Sequence, residues 1–105
     1  MEVRFVYITA ASREEASAIG RVLVEERLAA CVNIISPMQS IYRWQGRIQE
    51  DSEVVMIAKT TVQRMGRLVS KVREHHSYEC PCIVAWEVAE GHAPFLEWVA
   101  QEVAD

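Results

Sequence analysis

This sequence has no candidate membrane span, since none of its apolar runs approaches the roughly 20 residues that a bilayer crossing requires. Clustered basic charge is missing too. The 11 Lys and Arg residues are outnumbered by 15 Asp and Glu, for a formal net charge of −4, and are dispersed along the chain. A nucleic-acid binder concentrates cations on one face to release counterions from phosphate, so no nucleic-acid partner is expected. Cysteine is sparse and odd in number: Cys31, Cys80 and Cys82 read as free thiols rather than as a disulfide framework. The opening Met1-Glu2-Val3-Arg4-Phe5 enters a strand pattern directly, without the basic start and apolar segment of an export signal, so the expected location is cytoplasmic. Repeats, linkers and low-complexity tracts are also lacking. The expectation is one domain over residues 1–105, long enough to bury roughly 65% of its unfolded surface.

The residues that are present, 50% hydrophobic and 25% charged, place the chain among folded globular proteins. Its most informative stretch runs from Ser40 to Thr60. Ser40-Ile41-Tyr42-Arg43-Trp44 enters a tight turn at Gln45-Gly46, and Arg47-Ile48-Gln49-Glu50 leaves it. Glycine at the second turn position supplies the positive φ that a two-residue hairpin turn needs. Arms this long overshoot the core of a domain of this size. The overshoot leaves unpaired backbone edges and exposes Tyr42 and Trp44, which calls for cover from another subunit.

Around the hairpin the pattern alternates between periods. Val3–Ile8 reads as a strand, followed by a capping box with Ser12 as N-cap and Glu15 three residues on. Ala16, Ile19 and Leu23 mark one face of a helix expected to end near Leu28, with Val22 widening that face. A strand over Ala30–Ile35 meets Ser36-Pro37, which predicts a bulge or bend before the hairpin. Thr60-Thr61 offer hydroxyl caps for a second helix with Met65, Leu68, Val69 and Val72 on its apolar face. A turn over His75–Pro81, a strand over Cys82–Val88 and a short helix begun by Pro94 complete the chain. The order βαββαβα predicts an α+β, ferredoxin-like βαββαβ fold with both main helices on one sheet face, an extended β2–β3 hairpin and a short C-terminal helix. Phe5, Tyr7, Val84 and Trp86 cannot all point toward two helices, so the opposite face also needs cover.

Four separated blocks carry a family resemblance: Arg27-Leu28-Ala29-Ala30-Cys31-Val32-Asn33-Ile34, Tyr42-Arg43-Trp44-Gln45-Gly46, Lys59-Thr60-Thr61 and His76-Ser77-Tyr78-Glu79-Cys80-Pro81. In order and spacing the whole chain resembles the CutA divalent-cation tolerance family. The resemblance implies a tight homotrimer, with hairpins wrapping neighbouring subunits as in the trimeric PII-like signalling proteins. Three positions depart from the family pattern. His76-Ser77-Tyr78 stands where His-Pro-Tyr is usual, Cys80 and Cys82 are unusual, and Phe95 replaces a frequent tyrosine.

The candidate ligand-cleft residues are Cys31, Trp44, Lys59, His76, Tyr78 and Glu79. Cys31 fits two roles, a soft metal ligand or a small buried hydrophobe. Cys80-Pro81-Cys82 spaces two thiols so that, in extended backbone, they point to one side; the pair could hold Cu(I) but lacks the spacing of a zinc or redox motif. His76, with Tyr78 and Glu79 beside it, serves as a metal or anion ligand or as a helix-end cation. Lys59, placed just before two capping threonines, suits an anion at a helix N-terminus or a strand-end ammonium reaching water. Trp44 either lines a cleft or covers a partner strand.

The reading is a non-enzymatic cytoplasmic trimer that takes a metal ion or small ligand between subunits. Any metal bound should be Cu(II) or another late divalent ion, in the usual affinity order, with Cys31 and His76 the first candidate ligands and Cys80 and Cys82 the secondary ones. The alternatives are a PII-like adaptor for a small anionic ligand and an uncharacterised enzyme. An acylphosphatase-type site needs a glycine-rich first loop, and Thr9-Ala10-Ala11-Ser12 has no glycine. A metallochaperone of this architecture carries two cysteines in that loop, where this chain has none. An RNA-binding sheet would set aromatics beside basic residues, against the acidic balance here.

Overall fold

The hydrophobic periods resolve, in a computed structural model that describes residues 2–104, into β1 (Val3–Ala10), α1 (Arg13–Glu25), β2 (Cys31–Trp44) and β3 (Arg47–Thr61). A short 3-10 turn (Val62–Arg64), α2 (Met65–His75), β4 (Ile83–Glu87) and α3 (Ala93–Glu102) follow. Met1 and Asp105, which belong to the expected domain, lie outside the described residues. The four strands pair antiparallel in the order β2-β3-β1-β4, the ferredoxin-like arrangement expected from the element order.

One sheet face carries the main core. Val6, Ile8 and Ala10 of β1 and Val54, Met56 and Ala58 of β3 point toward α1 and α2, where Ala16, Ile19, Leu23, Leu68 and Val72 meet them. The expected helix faces are therefore the buried ones. On the other face α3 covers one end, packing Val99 and Val103 against Val3, Phe5 and Ala30. The rest of that face stays open. Val84 is 52% and Trp86 53% exposed, and Tyr7 meets Trp86 edge-on with ring centroids 5.8 Å apart. None of the helices among the described residues is long and apolar enough to cross a membrane.

The hairpin turns at Gln45 and Gly46, with φ values of 49° and 79°. Two successive positive φ angles match the right-handed twist of the flanking strands, so glycine is needed at Gly46 and Gln45 takes the left-handed region as well. Pairing runs from Trp44↔Arg47 to Met38↔Glu53, then shifts before resuming at Ile35↔Val55. The extra residue lies on the β2 side, at the bulge expected around Ser36-Pro37. β1 pairs with β3 only from Val54 to Thr61. Among the described residues the outer arms, Met38–Trp44 and Arg47–Glu53, thus form a two-stranded ribbon with no third strand. At about 3.3 Å per residue, the 14 residues of β2 account for the 44 Å long axis of the molecule.

Strand ends shift by one or two residues, with β1 running on to Ala10 and β4 spanning Ile83–Glu87, and two helix boundaries differ more. α1 stops at Glu25, three residues before Leu28. Arg27 adopts a φ of 57°, and the N–H groups of Leu28 and Ala29 both turn back to the Leu23 carbonyl, at 2.8 and 3.1 Å, which closes the helix early. The expected threonine caps of the second helix are absent as well. β3 continues through Thr61, with the Val62 N–H bonded to the Glu2 carbonyl, and α2 opens from the 3-10 turn without a side-chain cap. Thr60 instead donates its hydroxyl to the Leu28 carbonyl at 2.7 Å, a buried bond that fastens the α1–β2 connection to the sheet.

Candidate functional site

The loop between α2 and β4 sits over the inner end of the ribbon. Thr9, Tyr42, Trp44 and Glu53, all on the face opposite α1 and α2, join Tyr78, Glu79, Cys80 and Cys82 from that loop around a cleft of about 400 Å³. Strand alternation places them together: Tyr42 and Trp44 share a face, and the register carries Glu53 onto it. Tyr78 donates its phenol to Glu53 at 2.6 Å, and Tyr42 donates to Asp51. Burial, and then the Glu53 carboxylate, pushes the Tyr78 phenol well above its usual pKa, so it stays a neutral donor.

His76 stands behind the wall. Its Nε2–H donates to the Thr9 carbonyl at 2.7 Å, and its Nδ1 accepts the Tyr78 N–H at 3.0 Å. With both ring nitrogens engaged, its geometric role is to set the loop against β1, and its ring lies 4.8 Å from that of Tyr78. Glu15 anchors the same loop from α1. Its carboxylate accepts the N–H groups of Ala11 at 3.1 Å and Ser77 at 2.9 Å, while Ser12 receives the Glu15 N–H. The capping box therefore forms with its return bond moved back to Ala11. A proline at position 77 has no N–H to give, so serine there enables the Glu15 contact.

Burial alone would raise the Glu15 pKa, but hydrogen bonds from the Ser77 side chain and from the Ala11 and Ser77 backbone outweigh it. They hold the carboxyl below its ordinary 4.5. A depressed carboxyl contributes stability that is present above 4.5 and lost as pH falls through the folded-state value. Glu15→Gln is expected to cost about 1 kcal/mol at neutral pH. The gap from the native protein should close as the solution is acidified below 4.5 in urea unfolding curves. A gap that stays constant down to pH 3 would contradict this linkage.

The sequence-derived residues fall into two groups. Trp44, Tyr78 and Glu79 line the cleft, with Cys80 and Cys82, while His76 supports it from behind. Cys31 and Lys59 lie elsewhere, paired across β2 and β3 at the end of the sheet where α3 packs. Lys59 is a buried strand residue rather than a helix N-terminal one. It binds Asn33 Oδ1 and lies 5.6 Å from the centroid of the Phe5 ring. Among the described residues no three His, Cys, Asp or Glu side chains are grouped to hold a metal ion. Glu53, Tyr42 and Thr9 belong to the wall but are not among the cleft residues expected from the sequence, where Tyr42 figures only as an exposed hairpin aromatic in need of cover. The two-residue turn carried the signal for the first two, because it fixes pairing outward from Trp44↔Arg47.

An antiparallel βαββαβ sheet extended by a ribbon that frames a cleft defines the class, a ferredoxin-like subunit with an outgrown β2–β3 hairpin. The family described as CutA1 divalent ion tolerance protein matches residues 4–102. The divalent-cation tolerance protein CutA of Thermus thermophilus is 47% identical over 96 residues, covering 91% of this chain and 93% of its own. The solved Cut A1 structure from the same organism has a TM-score of 0.95 at 44% identity, covering 97% of this chain and 99% of that one. CutA1 from Oryza sativa has a TM-score of 0.97 at 30% identity, covering 100% and 96%. The chain belongs to the CutA1 divalent ion tolerance family.

Proposed function

We propose that the protein acts as a cytoplasmic homotrimer that supports divalent-cation tolerance without catalysis. It takes a divalent metal ion or small ligand in the cleft walled by Trp44, Glu53, Tyr78 and Glu79 and completed by a neighbouring subunit. The ribbon carries this reading. A two-stranded hairpin is marginal in water by itself, and this one exposes Ile41 and Ile48 on one side and Tyr42 and Trp44 on the other. The open apolar face bearing Val84 and Trp86 adds surface of the kind that subunit contacts bury. Three free thiols agree with a reducing compartment.

Among the described residues two carboxylates and no cationic side chain line the cleft, which favours a cation over the small anion of a PII-like adaptor. With one subunit offering no three-ligand group among the described residues, a divalent ion there draws its further donors from the neighbouring subunit or from water. Calorimetric titration with Cu(II) tests this. Glu53→Gln and Glu79→Gln should each weaken uptake, while Cys31→Ser and His76→Ala decide whether those residues contribute. Equal heats for the native protein and both carboxamide variants would remove the cleft as the cation site.

A further inference from the structure

The feature that the divalent-ion reading leaves unused is the thiol pair. Cys80 and Cys82 are separated by one residue, both are free and exposed, and both line the same cleft. Cys80 lies in the bend that ends the loop and Cys82 just before β4, so it is the shared cleft wall, not strand alternation, that brings the two thiols to one space. Thiolates are soft donors that select thiophilic cations. A d10 monovalent ion such as Cu(I) is satisfied by two sulfurs in a line, whereas structural zinc takes four ligands. The lack of a three-ligand group among the described residues therefore argues against zinc and leaves a two-coordinate ion unaffected.

We infer that Cys80 and Cys82 form a two-thiolate site for a monovalent thiophilic cation, Cu(I), on the wall of this cleft. The inference rests on the cleft reading but not on the trimer, since both sulfurs come from one chain. On binding, two S–H bonds break, two Cu–S bonds form and two protons leave to solvent; copper enters and stays as Cu(I), so no oxidant or reductant is needed. The bound unit carries one net negative charge, which Glu53 and Glu79 oppose and the water at the open mouth of the cleft screens. Cys31 stands outside the site, across the sheet ladder from Lys59.

The test is anaerobic titration of the intact protein with Cu(I), with bicinchoninate as competing chelator. The native protein and Cys31→Ser should bind one ion per chain with equal affinity. Cys80→Ser and Cys82→Ser should each lose more than the roughly 10–100-fold that outer-shell partners of a metal site are worth. A second measurement needs no variant: one equivalent of Cu(I) should slow alkylation of Cys80 and Cys82, read by peptide mass spectrometry, without slowing Cys31. Equal affinity in all four proteins, or protection of Cys31 to the same degree, would overturn the assignment. Loss of Cu(II) uptake in the carboxamide variants with Cu(I) binding intact would separate this site from the divalent one.

Discussion

Leu23→Ala is expected to destabilise the fold by about 2–5 kcal/mol, the range for truncating a fully buried leucine. Leu23 is completely buried in the last turn of α1, among core side chains that include Ile19 and Met56. Its carbonyl also receives the N–H groups of Leu28 and Ala29, so the chain wraps back over the place the side chain fills. Collapse into the vacated space would have to drag that connection inward, away from the Thr60 bond to the Leu28 carbonyl. The cavity therefore persists and the cost stays at the upper part of the range. Urea unfolding should be followed at one fixed protein concentration, because association adds to apparent stability by mass action. A loss below about 1 kcal/mol would show that the connection relaxes freely.

Trp86→Glu should break the proposed assembly while leaving the subunit folded. In the single chain Trp86 is half-exposed on the face that α3 does not cover, with Val84 beside it on the same side of β4. A carboxylate there stays hydrated in a lone subunit. Buried against a second copy it would have no partner, a loss of several kcal/mol at each contact in which it is desolvated. The variant should sediment as single chains with unchanged far-ultraviolet circular dichroism. Retention of the native mass would place the subunit contacts elsewhere.

The fold was legible because its signals are local. The Gln45-Gly46 turn, the Ser36-Pro37 bulge and the apolar faces of α1 and α2 each follow from a few adjacent residues, and each stands where expected. Half of the cleft was legible for the same reason. The loop from Tyr78 to Cys82 is one segment, and Trp44 adjoins the turn. Glu53 was reachable by counting outward from that turn. What stayed hidden depends on partners far along the chain. Lys59 read as a residue before a helix because two threonines follow it, but the Glu2 carbonyl holds Val62 and keeps the strand going. His76 read as a metal or anion ligand or as a helix-end cation, and nothing near it in sequence announces that Thr9 occupies its Nε2. The Ser77 N–H likewise acquires its purpose only from Glu15, 62 residues away.

Sedimentation equilibrium of the native protein at low micromolar concentration tests the central claim most directly. The ribbon calls for neighbours and the family resemblance implies three copies, so the proposed homotrimer should run as a single species of three times the 12.0 kDa chain mass. A folded species of 12.0 kDa, with its outer hairpin ordered in solution, would contradict the account.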